Sequence, residues 1–190
     1  MRFQNITKDD MKNGDGLRVV LWVSGCSHHC PGCQNPITWD PDDGIIWEWG
    51  PCLHEIDEEL RKDYISGLTI SGGDPFYKGN ILTVLGICRH VKEEFPEKTI
   101  WVYTGYTFEY LMSCLDFPFT DMFNCIDVLV DGPFEKDLLD VNYPWAGSTN
   151  QRVIDVKKSL QEGKVVLYGN NQEGRDERTV QSTKNCGCDS

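Results

Sequence analysis

The sequence predicts an α/β fold built on a mainly parallel β-sheet. Short β-branched, apolar runs alternate along the chain with segments of helical periodicity, and each run ends at a turn that contains glycine. Alternating strands and helices favour right-handed crossover units, which place the carboxyl ends of the parallel strands at one edge of the sheet. Because ligands bind at that edge in such sheets, the turns that follow the strands form the candidate site.

Five runs have the composition of strands, and three segments between them have apolar residues at helical spacing, as in Ile81, Leu85 and Cys88. Pro96 closes the second of these segments. The strands are predicted at residues 18–23, 68–71, 99–103, 126–130 and 164–168, the last with 152–156 as a pairing partner. The helices are predicted at residues 54–65, 80–95 and 107–115.

Four unusual segments each follow a predicted strand, so the sequence predicts that they converge on one rim. They are the cysteine loop after Val23, Gly72-Gly73-Asp74, Thr104-Gly105-Tyr106 and Asp131-Gly132-Pro133. Any one of these glycines could serve only as the turn into a helix. Four such segments at one edge favour a shared site instead.

The charge and hydropathy of the chain exclude several classes of protein. The 190 residues include 18 Lys and Arg against 30 Asp and Glu, which gives a net charge of −12. So acidic a chain is poorly suited to bind nucleic acid or an anionic membrane surface. The longest apolar run, Val19 to Val23, falls far short of the ~18 residues of a membrane span. With no export signal recognised near Met1, we expect a cytoplasmic protein.

The length suits a single domain, which we place at residues 1–169. Beyond Gly169 the residues are polar and charged, and this composition predicts a mobile tail over 170–190. The tail contains Cys186 and Cys188, to which we assign no role.

Nine cysteines are the main functional signal, and three of them, Cys26, Cys30 and Cys33, lie on one short loop. In a reducing compartment, clustered cysteines more often bind metal or carry out redox chemistry than form disulfides. Three thiolates can hold three irons of a cubane cluster and leave the fourth iron open to substrate. Pro31 and Gly32 suit a loop that curls around such a cluster.

Two other interpretations of this loop remain open on spacing alone. Three cysteines with His28 or His29 could form a structural zinc site, although zinc ligands usually come as pairs on separate elements. Cys30-Pro-Gly-Cys33 is also the spacing of a thiol–disulfide enzyme, but Cys26 would then be superfluous.

The spacing Cys26-x3-Cys30-x2-Cys33 after a first strand resembles the signature loop of the radical S-adenosylmethionine enzymes. The segments at 15–18 and 71–75, together with Asn35, resemble the activases of glycyl radical enzymes. Residues 100–106, 128–132 and 147–152 are similar to the group of these activases that serves anaerobic ribonucleotide reductase. The resemblance covers about residues 1–156.

This resemblance implies an incomplete, open β/α barrel that holds a [4Fe-4S] cluster on Cys26, Cys30 and Cys33. The cluster would reduce S-adenosylmethionine to methionine and a 5′-deoxyadenosyl radical, and this radical would take a hydrogen atom from a backbone glycine of the partner. The implied partner is the glycyl radical subunit of an anaerobic ribonucleoside-triphosphate reductase. A flavodoxin- or ferredoxin-like protein would donate the electron, and a homodimer is a further hypothesis.

The resemblance also assigns cofactor contacts residue by residue, while no side chain is required as an acid or a base. The backbone at 32–34 would line the adenine, and the carbonyls at 72–73 would accept from the methionyl ammonium. Asp74 would hold its loop or add charge, and the two residues after strand 99–103 would grip the ribose or the carboxylate. The assigned residues are Gly32, Cys33, Gln34, Gly72, Gly73, Asp74, Thr104 and Tyr106.

Other conspicuous residues receive weaker interpretations. His28 and His29 are read as loop residues or as modulators of the cluster rather than as ligands. Arg18 could steady a carboxylate or the loop, and Asp131 belongs either to the rim or to an ordinary turn. Two alternative functions remain: an activase of another glycyl radical enzyme, such as pyruvate formate-lyase, and a zinc module or thiol oxidoreductase that would not depend on S-adenosylmethionine.

Overall fold

A computed structural model of the chain describes residues 1–114 and 119–169. Within these ranges one sheet of seven strands runs in the order β3-β1-β2-β4-β5-β6-β7. Its strands are β1 (Arg2–Asp10), β2 (Leu17–Val23), β3 (Ile45–Ile46), β4 (Ile65–Gly72), β5 (Thr99–Tyr103), β6 (Val128–Asp131) and β7 (Arg152–Asp155). The helices are α1 (Trp49–Leu60), α2 (Ile81–Glu94), α3 (Phe108–Ser113), α4 (Phe119–Cys125) and α5 (Val156–Glu162), with short 3-10 turns at Pro36–Thr38 and Lys136–Leu138. None of the helices in the described ranges is both long and apolar enough to span a bilayer.

The central strands β2, β4, β5 and β6 are parallel, and the outer strands are antiparallel to their neighbours. This confirms the predicted α/β class with a mixed, mainly parallel sheet. The parallel centre places the cysteine loop after β2 at the same edge as Asp74 after β4 and Thr104 after β5. The predicted tail at 170–190, with Cys186 and Cys188, lies outside the described residues.

Several element boundaries differ from the sequence prediction. The helix predicted at 54–65 begins earlier, at Trp49, and ends at Leu60, because Ile65 already begins the buried strand β4. The run 164–168 forms only an isolated bridge, in which Leu167 pairs with Ile154 of β7. Neither the strands β1 and β3 at one end of the sheet nor the helices α4 and α5 were predicted. The helix predicted at 107–115 is α3, and residue 115 lies outside the described ranges.

The two faces of the sheet are covered differently. On one face, Leu21 and Ile70 pack with helix residues such as Ile56 and Val84 in the main apolar core. On the other face, Trp101 and its neighbours form a smaller cluster that is covered by loop residues rather than by helices. That second face therefore has room for a cavity along the strands.

Arg18 lies within the second face and is fully buried. Its guanidinium donates to Thr69 Oγ1 at 2.7 Å, to the Leu68 carbonyl at 2.8 Å and to the Thr99 carbonyl at 2.8 Å, and it lies over the Trp101 ring. Burial lowers the pKa of Arg18 to about 10. Arg18 thus joins β2, β4 and β5 through uncharged oxygens. The sequence suggested that it steadies a carboxylate or the loop, and these partners are not carboxylates.

Candidate functional site

A cavity of about 510 Å³ opens along the second face of the sheet and reaches its carboxyl edge. This volume is within the range of small-molecule and cofactor sites. The convergence predicted from the alternation of strands and helices is therefore observed. Of the residues predicted for the site, those that line the cavity are Cys26, Cys30, Cys33, Gln34, Gly72, Gly73, Asp74 and Thr104.

Two of the predicted cofactor residues lie beside the cavity rather than on its wall. Gly32 faces the side chain of Lys136, and a Cβ at this glycine would lie 3.2 Å from Lys136 Cδ. The ring of Tyr106 stacks on Tyr110 with 5.1 Å between centroids, and its edge meets the ring of His28 at 4.4 Å. Tyr106 therefore packs against the cysteine loop through His28, outside the cavity wall.

The cysteine loop is fixed at its start by backbone hydrogen bonds to the segment that follows it. The Gly25 amide donates to the Thr38 carbonyl at 2.8 Å, and the Cys26 amide donates to the Trp39 carbonyl at 3.1 Å. The Cys33 amide donates to the Cys30 carbonyl at 3.0 Å, which closes the turn between the last two cysteines. The loop thus folds back on itself with all three cysteines on the cavity side.

Backbone amides affect the electrostatics of the cysteine thiols. The Asn35 amide donates to Cys33 Sγ at 3.3 Å. Burial raises the pKa of Cys26 to about 11, and the amides of His28 and His29 act in the opposite direction. Burial likewise raises the pKa of Cys30, and an amide hydrogen bond from the loop after β6 opposes this effect.

Amide donors around free, partly buried thiols are the environment in which iron–sulfur clusters are held and their potentials set. The donor set therefore fits a cluster bound by three thiolates. Within residues 1–114 and 119–169, no three His, Cys, Asp or Glu side chains are already gathered as a metal site. Cluster binding accordingly requires the three cysteine side chains to converge.

Asp74 connects three loops of the site through its buried carboxylate. It accepts hydrogen bonds from Thr104 Oγ1 at 2.9 Å, from the Gly105 amide at 3.1 Å and from the Phe76 amide at 2.8 Å. The His28 ring, which belongs to the cysteine loop, lies with Nε2 2.8 Å from Asp74 Oδ2. Because the carboxylate is 1 % exposed and faces these protein donors, its observed role is to hold the loops together.

The same contacts bear on the zinc interpretation of the loop. His28 Nε2 is engaged by Asp74, and the ring of His29 packs against Trp39 with 4.9 Å between centroids. Both histidines thus have protein partners of their own. The arrangement favours the interpretation of His28 and His29 as loop residues over a role as ligands.

Two glycines allow the loops to approach closely. A Cβ at Gly73 would lie 2.6 Å from the Gly25 carbonyl oxygen, and one at Gly105 would lie 2.5 Å from the His28 ring. Asn80, at the end of the segment after β4, donates through Nδ2 to the Ser24 carbonyl at the start of the cysteine loop, at 2.8 Å. Side chains at these two positions would force apart the loops that Asp74 connects.

The sequence reasoning missed two parts of the cavity wall. One is the part of the loop after β6 that lies beyond the predicted segment Asp131-Gly132-Pro133. There the Gln151 side chain accepts from the Gly147 and Ser148 amides and donates to the Gly132 carbonyl. The segment 147–152 was singled out by its resemblance, but without a structural role. The other part is the turn between β1 and β2, and the missed lining residues from these two parts are Asp10, Lys12, Asn13, Phe134, Trp145, Ala146, Gly147 and Gln151.

Asp131, which the sequence placed at the rim or in a turn, is buried and does not line the cavity. Its carboxylate accepts from the Phe108 amide at 2.7 Å and pairs with Arg152 Nη2. Arg152 also makes two hydrogen bonds to Glu109, at 2.9 and 2.7 Å. Burial alone would lower the pKa of Arg152, but its hydrogen bonds to these two carboxylates outweigh burial and raise it.

A family model described as a 4Fe-4S single cluster domain matches residues 12–154. The anaerobic ribonucleoside-triphosphate reductase-activating protein of Enterobacteria phage T4 is 41 % identical over 153 residues, which cover 80 % of this chain and 93 % of the relative. The proteins of the same name from Haemophilus influenzae and Escherichia coli K12 are 39 % and 36 % identical, over 80 % of this chain and 96 % and 97 % of their own lengths. The chain belongs to this family.

The matched range contains most of the cavity described above. It includes the cysteine loop, Asp74 and the loop after β6, and it leaves out Asp10. The family description supports an iron–sulfur cluster in this protein over the zinc and dithiol alternatives.

Proposed function

We propose that this protein is an iron–sulfur activase that cleaves S-adenosylmethionine and generates a glycyl radical on an anaerobic ribonucleoside-triphosphate reductase. The observation that carries the proposal is the set of three free cysteines on the wall of one cavity, with the Asn35 amide donating to Cys33 Sγ. The names of the relatives supply the partner. We expect this activity in the cytoplasm, from a monomer or a homodimer.

Cys26, Cys30 and Cys33 would hold a [4Fe-4S] cluster with one iron free of protein ligands. When bound, this cluster supplies one electron to S-adenosylmethionine, whose C5′–S bond breaks to leave methionine and a 5′-deoxyadenosyl radical. The electron comes from a flavodoxin- or ferredoxin-like donor. Transfer of a hydrogen atom from the glycine Cα to this radical would then yield 5′-deoxyadenosine and the glycyl radical.

The protein's own residues would bind and orient the cofactor and exclude water. The backbone at Gly72 and Gly73 lines the cavity next to the cysteine loop, which supports a contact with the methionyl group. Gln34 lines the same wall, which supports an adenine contact there. Thr104 donates its hydroxyl to Asp74, so that its contribution to cofactor binding would come from the backbone.

We also propose the incomplete barrel expected from the resemblance, as a single domain at residues 1–169. The sheet supports this proposal because, among the described strands, β3 and β7 lie at opposite ends of the strand order without pairing. The helices pack on one face, so the opposite face corresponds to the barrel interior. The open side would admit the partner's glycine segment.

The test is anaerobic reconstitution with iron and sulfide, followed by EPR of the reduced protein with and without S-adenosylmethionine. We expect a [4Fe-4S]⁺ signal that changes when the cofactor is added, and formation of 5′-deoxyadenosine. Cys26→Ala, Cys30→Ala and Cys33→Ala should each lose the signal, and Cys125→Ala should retain it because Cys125 lies on α4 outside the loop. A colourless protein with one tetrahedral zinc would contradict the proposal.

The identity of the partner is tested separately, by adding the reductase or pyruvate formate-lyase to the reconstituted protein. We expect a glycyl radical EPR doublet with the reductase alone. A doublet on pyruvate formate-lyase alone would retain the chemistry and reject the proposed partner.

A further inference from the structure

The hydroxyl of Tyr103 is a buried polar group without a hydrogen-bond partner, and its side chain lines the cavity. Tyr103 ends β5, immediately before Thr104. Burial raises the pKa of Tyr103 above its ordinary value, so the hydroxyl keeps its proton at neutral pH and is available as a donor. A buried hydroxyl without a partner costs free energy, and a ligand in the cavity would remove that cost.

Two neighbouring polar side chains of the cavity wall are already engaged. Asp10 Oδ1 accepts from the Lys12 and Asn13 amides, both at 2.8 Å, and stabilises the turn between β1 and β2. Trp22 Nε1 donates to Thr7 Oγ1 at 2.7 Å. In the part of the chain that the structure describes, Tyr103 is the lining residue whose buried side-chain polar atom lacks a partner.

The cavity has two ends of different character. One end holds the cysteine loop, at the carboxyl edge of the sheet. The other end reaches the turn at Asp10, which lies opposite Arg18 of β2 in the register of β1 and β2. The seven residues of β2 separate these ends by roughly 20 Å at the usual rise of a strand. The cavity is therefore long enough to hold a second occupant beyond the one at the cysteines.

Electrostatics distinguish the two ends. The Tyr103 hydroxyl lies within electrostatic reach of both Arg18 and Asp10, whose opposite charges counteract each other there, and the aromatic rings of Trp22 and Trp145 also line the cavity. S-adenosylmethionine carries a sulfonium and an ammonium, which the thiolates of the cysteine loop would attract to the opposite end. The aromatic wall and the balanced charges beside Tyr103 suit an uncharged main-chain segment.

We infer that the Tyr103 hydroxyl binds a backbone carbonyl of the partner's glycine segment, and so positions that segment beside the cofactor. This inference rests on the proposed function and adds to it a specific recognition group for the substrate polypeptide. Tyr103 thus acts in binding of the partner, and the wall formed by Trp22 and Trp145 is the apolar surface along which the segment lies.

The test compares Tyr103→Phe, which removes only the hydroxyl, with Tyr168→Phe. Both tyrosines pack against the small cluster that contains Trp101, and the Tyr168 ring lies 5.1 Å from the Trp101 ring between centroids. The Tyr168 hydroxyl, however, lies 3.4 Å from Asp15, and Tyr168 does not line the cavity. Binding of the intact glycyl radical subunit to each reconstituted variant is measured anaerobically, together with binding of S-adenosylmethionine. Thermal unfolding of each variant is measured as well.

Tyr103→Phe should weaken binding of the glycyl radical subunit about 3- to 10-fold, the effect of losing one neutral hydrogen bond. Its affinity for S-adenosylmethionine should stay at the wild-type value. Its melting temperature should rise slightly, because the substitution removes a buried hydroxyl that has no protein partner. Tyr168→Phe should leave both affinities unchanged.

Two results would overturn the inference. A loss of S-adenosylmethionine affinity in Tyr103→Phe would make Tyr103 a cofactor contact, and unchanged binding of both ligands would leave the hydroxyl without a role. Failure of the proposed function is recognised separately, since the wild-type protein would then neither cleave S-adenosylmethionine nor give a glycyl radical.

Discussion

Asp74 and Asp131 lie near the carboxyl ends of two parallel strands, and both are 1 % exposed. Asp74 is bound by donors of three loops that line the cavity, among them His28 of the cysteine loop. Asp131 is bound by Arg152 of the edge strand β7 and by the amide of Phe108 at the beginning of α3. The comparison teaches that equal burial at equivalent strand ends does not give equal function, because what matters is which elements each carboxylate joins.

The largest effect is expected on the Asp131 side of this comparison. Arg152→Ala removes the cation of a buried pair and leaves Asp131 charged and uncompensated, which destabilises a protein by about 3–5 kcal/mol. The midpoint of anaerobic urea unfolding measures this loss. In the fraction that remains folded, S-adenosylmethionine binding should be unchanged, because neither residue lines the cavity.

Lys158→Ala is the matched control for Arg152→Ala. Lys158 pairs with Asp155 at 3.1 Å but is 65 % exposed, so its loss should change the stability by less than about 0.5 kcal/mol. If Arg152→Ala unfolds at the same urea concentration as Lys158→Ala, the Asp131–Arg152 pair does not stabilise the sheet edge as described.

Asp74→Asn should show the converse pattern, with a greater effect on the site than on the fold. The substitution removes the negative charge that His28 and Thr104 face, and loss of such supporting partners typically lowers metal affinity or activity about 10- to 100-fold. Iron retention against a chelator after reconstitution measures the effect. Retention equal to wild type would show that the cysteine loop holds its shape without Asp74.

Gly105→Ala tests the same connection without changing any charge. A Cβ at this position would lie 2.5 Å from the His28 ring, and such overpacking usually costs about 1–3 kcal/mol. The double variant with His28→Ala removes the obstructing ring, so the cost of the added methyl group should fall in that background. Equal costs in both backgrounds, measured by urea unfolding, would place the strain elsewhere.

The common edge for the cysteine loop, Gly73 and Thr104 was predictable, because strand–helix alternation requires parallel strands with their carboxyl ends together. The strand β1 was not. Its buried residues Phe3 and Ile6 are three apart because irregular pairing with β2 interrupts the period of two that identifies a strand in a sequence.

The contacts of the site were also beyond local sequence patterns. His28 and Asp74 are 46 residues apart, and only the folded sheet brings the two loops together. Arg18 was expected to steady a carboxylate or the loop, and local sequence patterns could not show that its partners are a hydroxyl and carbonyls of neighbouring strands. The resemblance identified the site, and the structure identified how the loops around it are held.

The smallest effect is expected at Glu109, the outer member of the Asp131 network. Its hydrogen bonds to Arg152 hold the pKa of Glu109 below its usual value against the opposing effect of burial, so the contribution of Glu109 to stability is present above the unfolded pKa of about 4.3. That contribution is lost as the pH falls through the lower, folded pKa. Because the side chain is 60 % exposed and screened, Glu109→Gln should cost only about 0.2–1 kcal/mol at pH 7, less at high salt, and progressively less as the pH falls through the folded pKa. Urea unfolding at pH 7, in low and high salt, and at low pH separates this exposed pair from Asp131–Arg152, whose buried charges salt should screen far less. A cost at Glu109 that is large and independent of salt would mean that Arg152 depends on both carboxylates equally. Glu109 would then belong to the buried network that stabilises the sheet edge, together with Asp131.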